Sequence, residues 1–327
     1  MLRAQMKPFQ LAAAVIFATT TMAMAQENVQ ITYSGIISLE NLAEANLSEN
    51  SFYGNGDVSF RWSTINDLKF GADLGIETLG SLNEDDSFDL IAYYAVGVVE
   101  GPFGKISIGM PRSVMSEYFI IPEVAGSEHL DLDIDFLSPD LVRFFKLLLS
   151  DSDGEMYGAR YDGMVGRLNV AASVFQLSDS SGNDTSGNIK ELVAKYAADQ
   201  WSVTLGAVRF EQGGVSANST SLEVQGHSGK ISGGLVFTKF GELFLGGGSD
   251  NDSSSRAFVS YDVGEEVKLN AQVLNYQIFG DPDVKIYSLD VSYKHKTGAF
   301  LNAGVMTSDN LFKSTDKIFA FSLGYQF

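Results

Sequence analysis

The last nine residues, Phe319-Ala320-Phe321-Ser322-Leu323-Gly324-Tyr325-Gln326-Phe327, place every large apolar side chain at an odd position and every small or polar one at an even position. Two is the side-chain period of a β-strand, so one face of this segment is apolar and the other is small and polar. The alternation recurs upstream. Tyr287, Leu289, Val291 and Tyr293 oppose Ser288, Asp290 and Ser292, and Val267, Leu269, Ala271 and Val273 oppose Lys268, Asn270 and Gln272. Trp201/Val203/Leu205/Ala207, Leu168/Val170/Ala172/Val174, Ile106/Ile108/Met110, Leu68/Phe70/Ala72/Leu74/Ile76 and Val58/Phe60/Trp62 repeat it. A helical period of three to four explains almost none of these segments.

Composition narrows the class. The chain of 327 residues is 45% hydrophobic and 12% aromatic, enough apolar material to fold rather than stay disordered. It has no cysteine, which excludes disulfide scaffolds, thiolate metal sites, cysteine nucleophiles and iron–sulfur clusters. With 22 Lys+Arg against 41 Asp+Glu the net charge is -19, and neutralising phosphates needs clustered cations, so no nucleic-acid partner is expected.

Residues 1–25 carry Arg3 and Lys7, then the apolar run from Leu11 to Ala18, then Ala23-Met24-Ala25. These are the three parts of a cleaved secretory signal peptide, which leaves residues 26–327 as a single domain. Losing Arg3 and Lys7 and no acid makes the mature chain more acidic still. The longest later apolar run, Leu90 to Val99, falls well short of the ~18 residues of a spanning helix. In lipid only helices and closed barrels satisfy every backbone polar group, so a membrane location would require a closed β-barrel.

Strands are predicted near 29–39, 55–63, 67–78, 88–99, 103–110, 155–162, 166–176, 189–198, 200–210, 219–226, 229–238, 255–263, 266–277, 284–295, 298–307 and 317–327. A further candidate, Phe240 to Gly246, is assigned to a loop because a bacterial barrel has an even strand number. Long connections at 41–54, 80–87, 111–154, 177–188, 211–219, 239–254, 279–282 and 308–316 alternate with tight turns rich in Gly, Asp and Asn. Long external loops and short periplasmic turns are the connection pattern of an outer-membrane barrel. The expected fold is therefore an all-β, transmembrane, 16-stranded antiparallel up-and-down barrel. Trp62, Tyr93, Trp201, Tyr287, Tyr325 and Phe327 are expected in its interfacial aromatic girdles.

Two motifs, Gly101-Pro-Phe-Gly-Lys-Ile-Ser-Ile-Gly109 and the alternating aromatic end at Phe327, together with the oversized third loop, resemble the general bacterial porins, most closely those of alphaproteobacteria. The resemblance covers essentially the whole mature chain. It implies a homotrimer in the bacterial outer membrane, in contact with its lipid and lipopolysaccharide. It also implies a third loop folded into the lumen, narrowing a water-filled channel for passive diffusion of ions and small hydrophilic solutes. Porins often place an Arg directly after the Gly of the fifth strand. Here Gly109 is followed by Met110-Pro111, and the first arginine is Arg112.

Within the third loop, 111–154, the carboxylates Glu117, Glu123, Glu128, Asp131, Asp133 and Asp135 precede a short helix expected after Ser138-Pro139-Asp140. Turned inward, these acids would supply the acidic side of a constriction, where low-dielectric walls strengthen their field on a passing ion. Arg61, Lys69, Lys105, Arg160, Lys195 and Lys268, at lumenal parity, with Arg112, are the candidates for an opposing basic wall. The acid excess favours cations. Ser178 to Asp184 and Ser249 to Ser254 are polar and acidic loops that could hold a calcium ion, though neither has the ligand spacing of an EF-hand. No other cofactor is indicated.

Two other readings compete. A sugar-specific channel would place aromatic residues along the lumen, for which Tyr118 and Phe119 are the starting points. A barrel enzyme would need His129, His227 or His295 beside a nucleophile, and no spacing suggests one. The chain is not expected to be an enzyme.

Overall fold

The computed structural model describes residues 29–44, 47–63, 67–82, 88–127, 155–178, 187–212, 215–241, 252–277, 284–309 and 316–327. Among them are sixteen strands. The first eight are β1 (Val29–Glu44), β2 (Leu47–Ser63), β3 (Lys69–Ser81), β4 (Phe88–Gly101), β5 (Gly104–Met110), β6 (Glu155–Val165), β7 (Leu168–Ser178) and β8 (Gly187–Ala197). The others are β9 (Trp201–Gln212), β10 (Val215–Ser228), β11 (Ile231–Phe240), β12 (Ser253–Asp262), β13 (Val267–Gln277), β14 (Val284–Lys294), β15 (Ala299–Asp309) and β16 (Asp316–Gln326). A single helical turn, α1 (Val114–Tyr118), follows β5.

Each strand pairs antiparallel with its sequence neighbours, and β1 pairs with β16, so the sheet closes on itself. At the seam Leu39 faces Leu323 and Ala43 faces Phe319. Below them Gly35 and Phe327 exchange two backbone hydrogen bonds of 3.0 Å. Closure removes the unpaired strand edges that would otherwise stay unsatisfied in lipid. The tight turns sit at one end. Gly166 and Gly229 hold φ near +60° there, a left-handed conformation that costs glycine little.

The predicted order and facing of the strands hold, but two loops shrink. The β1/β2 ladder continues to Glu44 opposite Leu47, and β9/β10 to Gln212 opposite Val215, although a long connection was expected at both places. Beyond the bilayer both strand faces meet water. The apolar alternation then lapses, while the backbone ladder, which needs no particular side chain, continues. β11 ends at Phe240, and residues 242–250 lie outside the described residues.

The alternating apolar residues point outward and are exposed, as with Ile108, Leu205, Leu235, Leu289 and Phe319. So large an apolar surface fits a lipid solvent. Trp62, Trp201, Tyr325 and Phe327 lie on it near the turn end, with Tyr196 packed 5.4 Å from Trp201 and Tyr33 6.5 Å from Phe327. Tyr287 is also outward but near the opposite end of its strand, and the Tyr93 side chain lies outside the described residues.

The apolar core lies between the inner wall and the segment after β5. One cluster joins Val114, Met115 and Phe119 to Phe175, Ile189, Val193, Val208 and Val236. The other joins Val124 and Ala125 to Leu42, Leu274, Ile286 and Met306.

An arginine at the centre of the outward face tests the lipid assignment. Leu289→Arg should lower the folding free energy in phospholipid vesicles by about 2–4 kcal/mol, the cost of a cation at the bilayer midplane. An unchanged denaturant midpoint would contradict it.

Candidate functional site

After β5 the chain turns into the barrel. Ser113 caps α1, its hydroxyl accepting from the amides of Met115 and Ser116 at 3.0 and 3.3 Å. From there the segment passes along the inner wall from β8 round to β1, held by side chains that face the lumen. Glu191 of β8 accepts from the Ser113 hydroxyl at 2.8 Å and the Val114 amide at 3.0 Å. Lys195 donates to the Tyr118 carbonyl at 3.1 Å. Glu223 of β10, fully buried, accepts from the Ile120 amide at 3.1 Å.

Farther round, Arg256 donates to the Pro122 carbonyl and Gln272 to that of Glu123 at 2.6 Å. Asn302 and Ser322 donate to the Gly126 carbonyl at 3.2 and 3.1 Å. Ser127 donates to Glu40 of β1 at 2.7 Å. Two glycines let the segment lie this close. A Cβ at Gly206 would collide with Met115 and Phe119, and one at Gly304 with the backbone of Ala125.

Among the described residues the segment lies on the wall from β6 round to β1, and the wall of β2 to β5 stays open beside it. There a cavity of about 260 Å³ is lined by Asp57, Arg61, Asp73, Tyr94, Lys105, Arg112, Glu117 and Arg160, among others. Arg61 binds Asp73 at 2.6 Å and Glu100 at 2.7 Å. Arg160, almost buried, binds Asp162 and Glu117, each at 2.5 Å. Arg112 pairs with Asp57 and lies 4.5 Å above the Tyr94 ring centroid. Burial alone would lower the Arg112 pKa, but Asp57, Tyr94, Glu117 and Glu77 outweigh it and hold the guanidinium above its ordinary value. Tyr118 donates to Asp162 at 3.3 Å. Burial, and next to it the Asp162 carboxylate, pushes the Tyr118 phenol up to about 12.

The candidates separate into groups. Arg61, Lys105, Arg112, Arg160 and Glu117 come together at the cavity, Lys105 3.9 Å from Asp162. Lys195 is spent on the inturned segment. Lys69 is an exposed lumenal residue at the turn end of β3. Lys268 is half exposed and sits 3.7 Å from Asp262, away from the cavity. Glu123 lies beyond α1 against β13. Glu128, Asp131, Asp133 and Asp135 lie outside the described residues, as do the helix expected after Ser138 and most of the two loops considered for calcium.

The expected division into an acidic loop and a basic wall is not what the described residues form. Arg61, Arg112 and Arg160 each hold a wall carboxylate, because a half-buried guanidinium is stable only when paired. Asp57, Asp73, Glu100 and Asp162 were not singled out from sequence, although they share the lumenal parity of Arg61 and Arg160. The buried anchors Glu40, Glu191 and Glu223 were missed too. The available signal was a set of apolar residues at lumenal parity, Phe175, Ile189, Val208, Leu274 and Ile286, which mark where a segment must cover the wall.

A closed barrel with an apolar exterior, a charged lumen and an inturned segment defines a membrane-spanning channel. The sequence model of a family described as Gram-negative porin matches residues 12–312, and the chain belongs to that family. It is an outer-membrane porin channel, of a family known for channels rather than enzymes. Two solved mutant forms of the Rhodopseudomonas blastica porin are similar in fold. One gives a TM-score of 0.65 at 13% identity and a triple mutant 0.63 at 12%, each covering 91% of this chain and 100% of its own. A comparison with curated proteins finds no match.

Glu191→Ala strands the Ser113 hydroxyl and the Val114 amide, a loss of about 1–3 kcal/mol for a buried group left unpaired. Residues 111–127 should then be cleaved faster by protease and the open-channel current should become noisier. Equal cleavage of variant and parent would count against the anchoring role. The Tyr118 contribution, by the sign of its shift, is complete below pH about 10, the ordinary tyrosine value. It fades as pH rises through about 12. Parent and Tyr118→Phe should therefore differ by a constant stability from pH 6 to 9, as equilibrium unfolding will read.

Proposed function

We propose that this porin passes small hydrophilic solutes by passive diffusion and prefers cations. The observation that carries this reading is the charge count around the cavity. The lining itself holds four cations, Arg61, Lys105, Arg112 and Arg160, and three acids, Asp57, Asp73 and Glu117, but Glu77, Glu100 and Asp162 stand beside it and, with Lys69 across from Glu100, bring the balance to six acids against five cations. The arginines are neutralised in place by their partners, so the surplus field around the cavity is negative. Polar residues of both signs line the passage, which suits hydrated solutes. Glu128, Asp131, Asp133 and Asp135 would add to the same field if they turn inward. The family supports an oligomeric channel, and we take the assembly to be a homotrimer embedded in outer-membrane lipid and lipopolysaccharide. Residues 1–25 act as a cleaved signal peptide in this reading.

The test is planar-bilayer conductance of the mature protein, with reversal potential measured across a salt gradient. A unit charge about 6 Å from an ion in water is worth about 0.7 kcal/mol. Asp57→Asn and Asp73→Asn should therefore each lower the cation-to-anion permeability ratio about threefold. Anion preference in the parent, or a ratio unmoved in both variants, would overturn the assignment.

A further inference from the structure

The geometry points to a binding site for one monovalent metal cation between β14 and the end of the inturned segment, with Asp290, Ser288 and the Ala125 carbonyl as its ligands. Asp290 faces the lumen yet is only 4% exposed, because the turn at residues 124–127 packs on this part of the wall. Its Oδ1 accepts from the neutral side chains of Asn270 at 2.6 Å and Ser292 at 3.4 Å. Its Oδ2 has no partner, and among the described residues it is the one buried carboxylate oxygen in that state. The Ser288 hydroxyl, two residues along the same lumenal face, is also buried and unpartnered.

The third oxygen comes from the inturned segment. Gly304 stands directly opposite Asp290 across the β14/β15 ladder. The Ala125 carbonyl oxygen occupies the space that a Gly304 side chain would take. Facing positions on neighbouring strands hold their Cβ atoms about 5 Å apart, so this oxygen lies beside the Asp290 side chain. The carbonyls flanking it both accept hydrogen bonds, Val124 from the Ser127 amide at 3.1 Å and Gly126 from Asn302 and Ser322. The Ala125 carbonyl, fully buried, accepts none among the described residues. Ala125 takes up this position with φ +52°, a left-handed conformation that a residue with a Cβ disfavours.

A buried carboxylate needs a counter-charge, and the chain does not supply one here. Lys268 and Lys294, the lumenal cations of β13 and β14, are engaged with Asp262 at 3.7 Å and Gln326 at 2.5 Å. A proton on Oδ2 would have no acceptor within hydrogen-bond reach. A water would leave the charge in place. A metal ion spans a wider gap than a proton does: at about 2.4 Å from each ligand, it joins oxygens about 4 to 5 Å apart, separations at which no hydrogen bond forms. Carboxylate, hydroxyl and carbonyl are the ligands of a hard cation. One carboxylate balances one positive charge, whereas a divalent ion would stay half neutralised in the same burial, so the site suits a monovalent ion. Bound there, the ion ties the turn at 124–127 to β14.

The site does not depend on the ion preference proposed above. The experiment measures denaturant unfolding of the refolded mature protein in detergent, in sodium chloride and in choline chloride at equal ionic strength. The folding equilibrium constant of the parent should rise saturably with sodium by the factor 1 + [Na+]/Kd, about tenfold at ten times Kd. Protease should cleave residues 111–127 more slowly in sodium than in choline. Asp290→Asn keeps the shape and removes the charge, so it should behave alike in the two salts. Ser288→Ala, a smaller change to the fold, should need more sodium for the same gain. Equal stability of the parent in sodium and choline, as a bound water would give, would overturn the site, and so would the parent's sodium gain persisting in Asp290→Asn or an unmoved sodium midpoint in Ser288→Ala. Half-saturation by calcium at a lower concentration than by sodium would overturn the monovalent assignment.

Discussion

Every amide and carbonyl of a chain in hydrocarbon must find a partner within the protein. The pairing of β1 with β16 meets that demand for the last two edges of the sheet, and the ladder of the other fifteen pairs depends on it for its curvature. Once the sheet is closed there is one inside and one outside. The side-chain period of two then sorts the sequence between them, Leu289 and Val291 toward lipid and Ser288 and Asp290 toward the lumen.

Closure also leaves an interior too wide for the inward side chains to fill. The segment after β5 occupies part of that space, and its attachment mixes two kinds of interaction. Met115, Phe119, Val124 and Ala125 bury apolar surface against wall residues that break the polar rule for lumenal positions. Glu191, Glu223 and Glu40 then accept hydrogen bonds from its amides and hydroxyls, at its beginning, middle and end. Burial supplies the attraction and the carboxylates fix the path. Among the described residues the open wall of β2 to β5, with Arg160 of β6 at its edge, becomes the charged passage, and its arginines stay charged because Asp57, Asp73 and Asp162 sit beside them.

The strands and their facing were readable because lipid on one side and water on the other impose the alternation over every membrane-spanning residue. Where that contrast ends the reading failed, as at the tops of β1/β2 and β9/β10, where strands continue through residues that looked like loop. Four of the seven basic residues singled out, Arg61, Lys105, Arg112 and Arg160, do meet at one cavity. Their partners were not legible. Pairing Arg61 with Asp73 requires β2 to lie beside β3 in a given register, and pairing Arg160 with Glu117 requires the segment after β5 to turn inward.

By itself the sequence determined the all-β class, the sixteen-strand count, the lipid-facing set and the acidity of the chain, because each is a local or additive property. Tertiary structure alone decided which wall the inturned segment covers and which carboxylates Arg61, Arg112 and Arg160 hold. Those are relations between residues as far apart as Gly126 and Ser322, and they exist only after the barrel has closed and set their register.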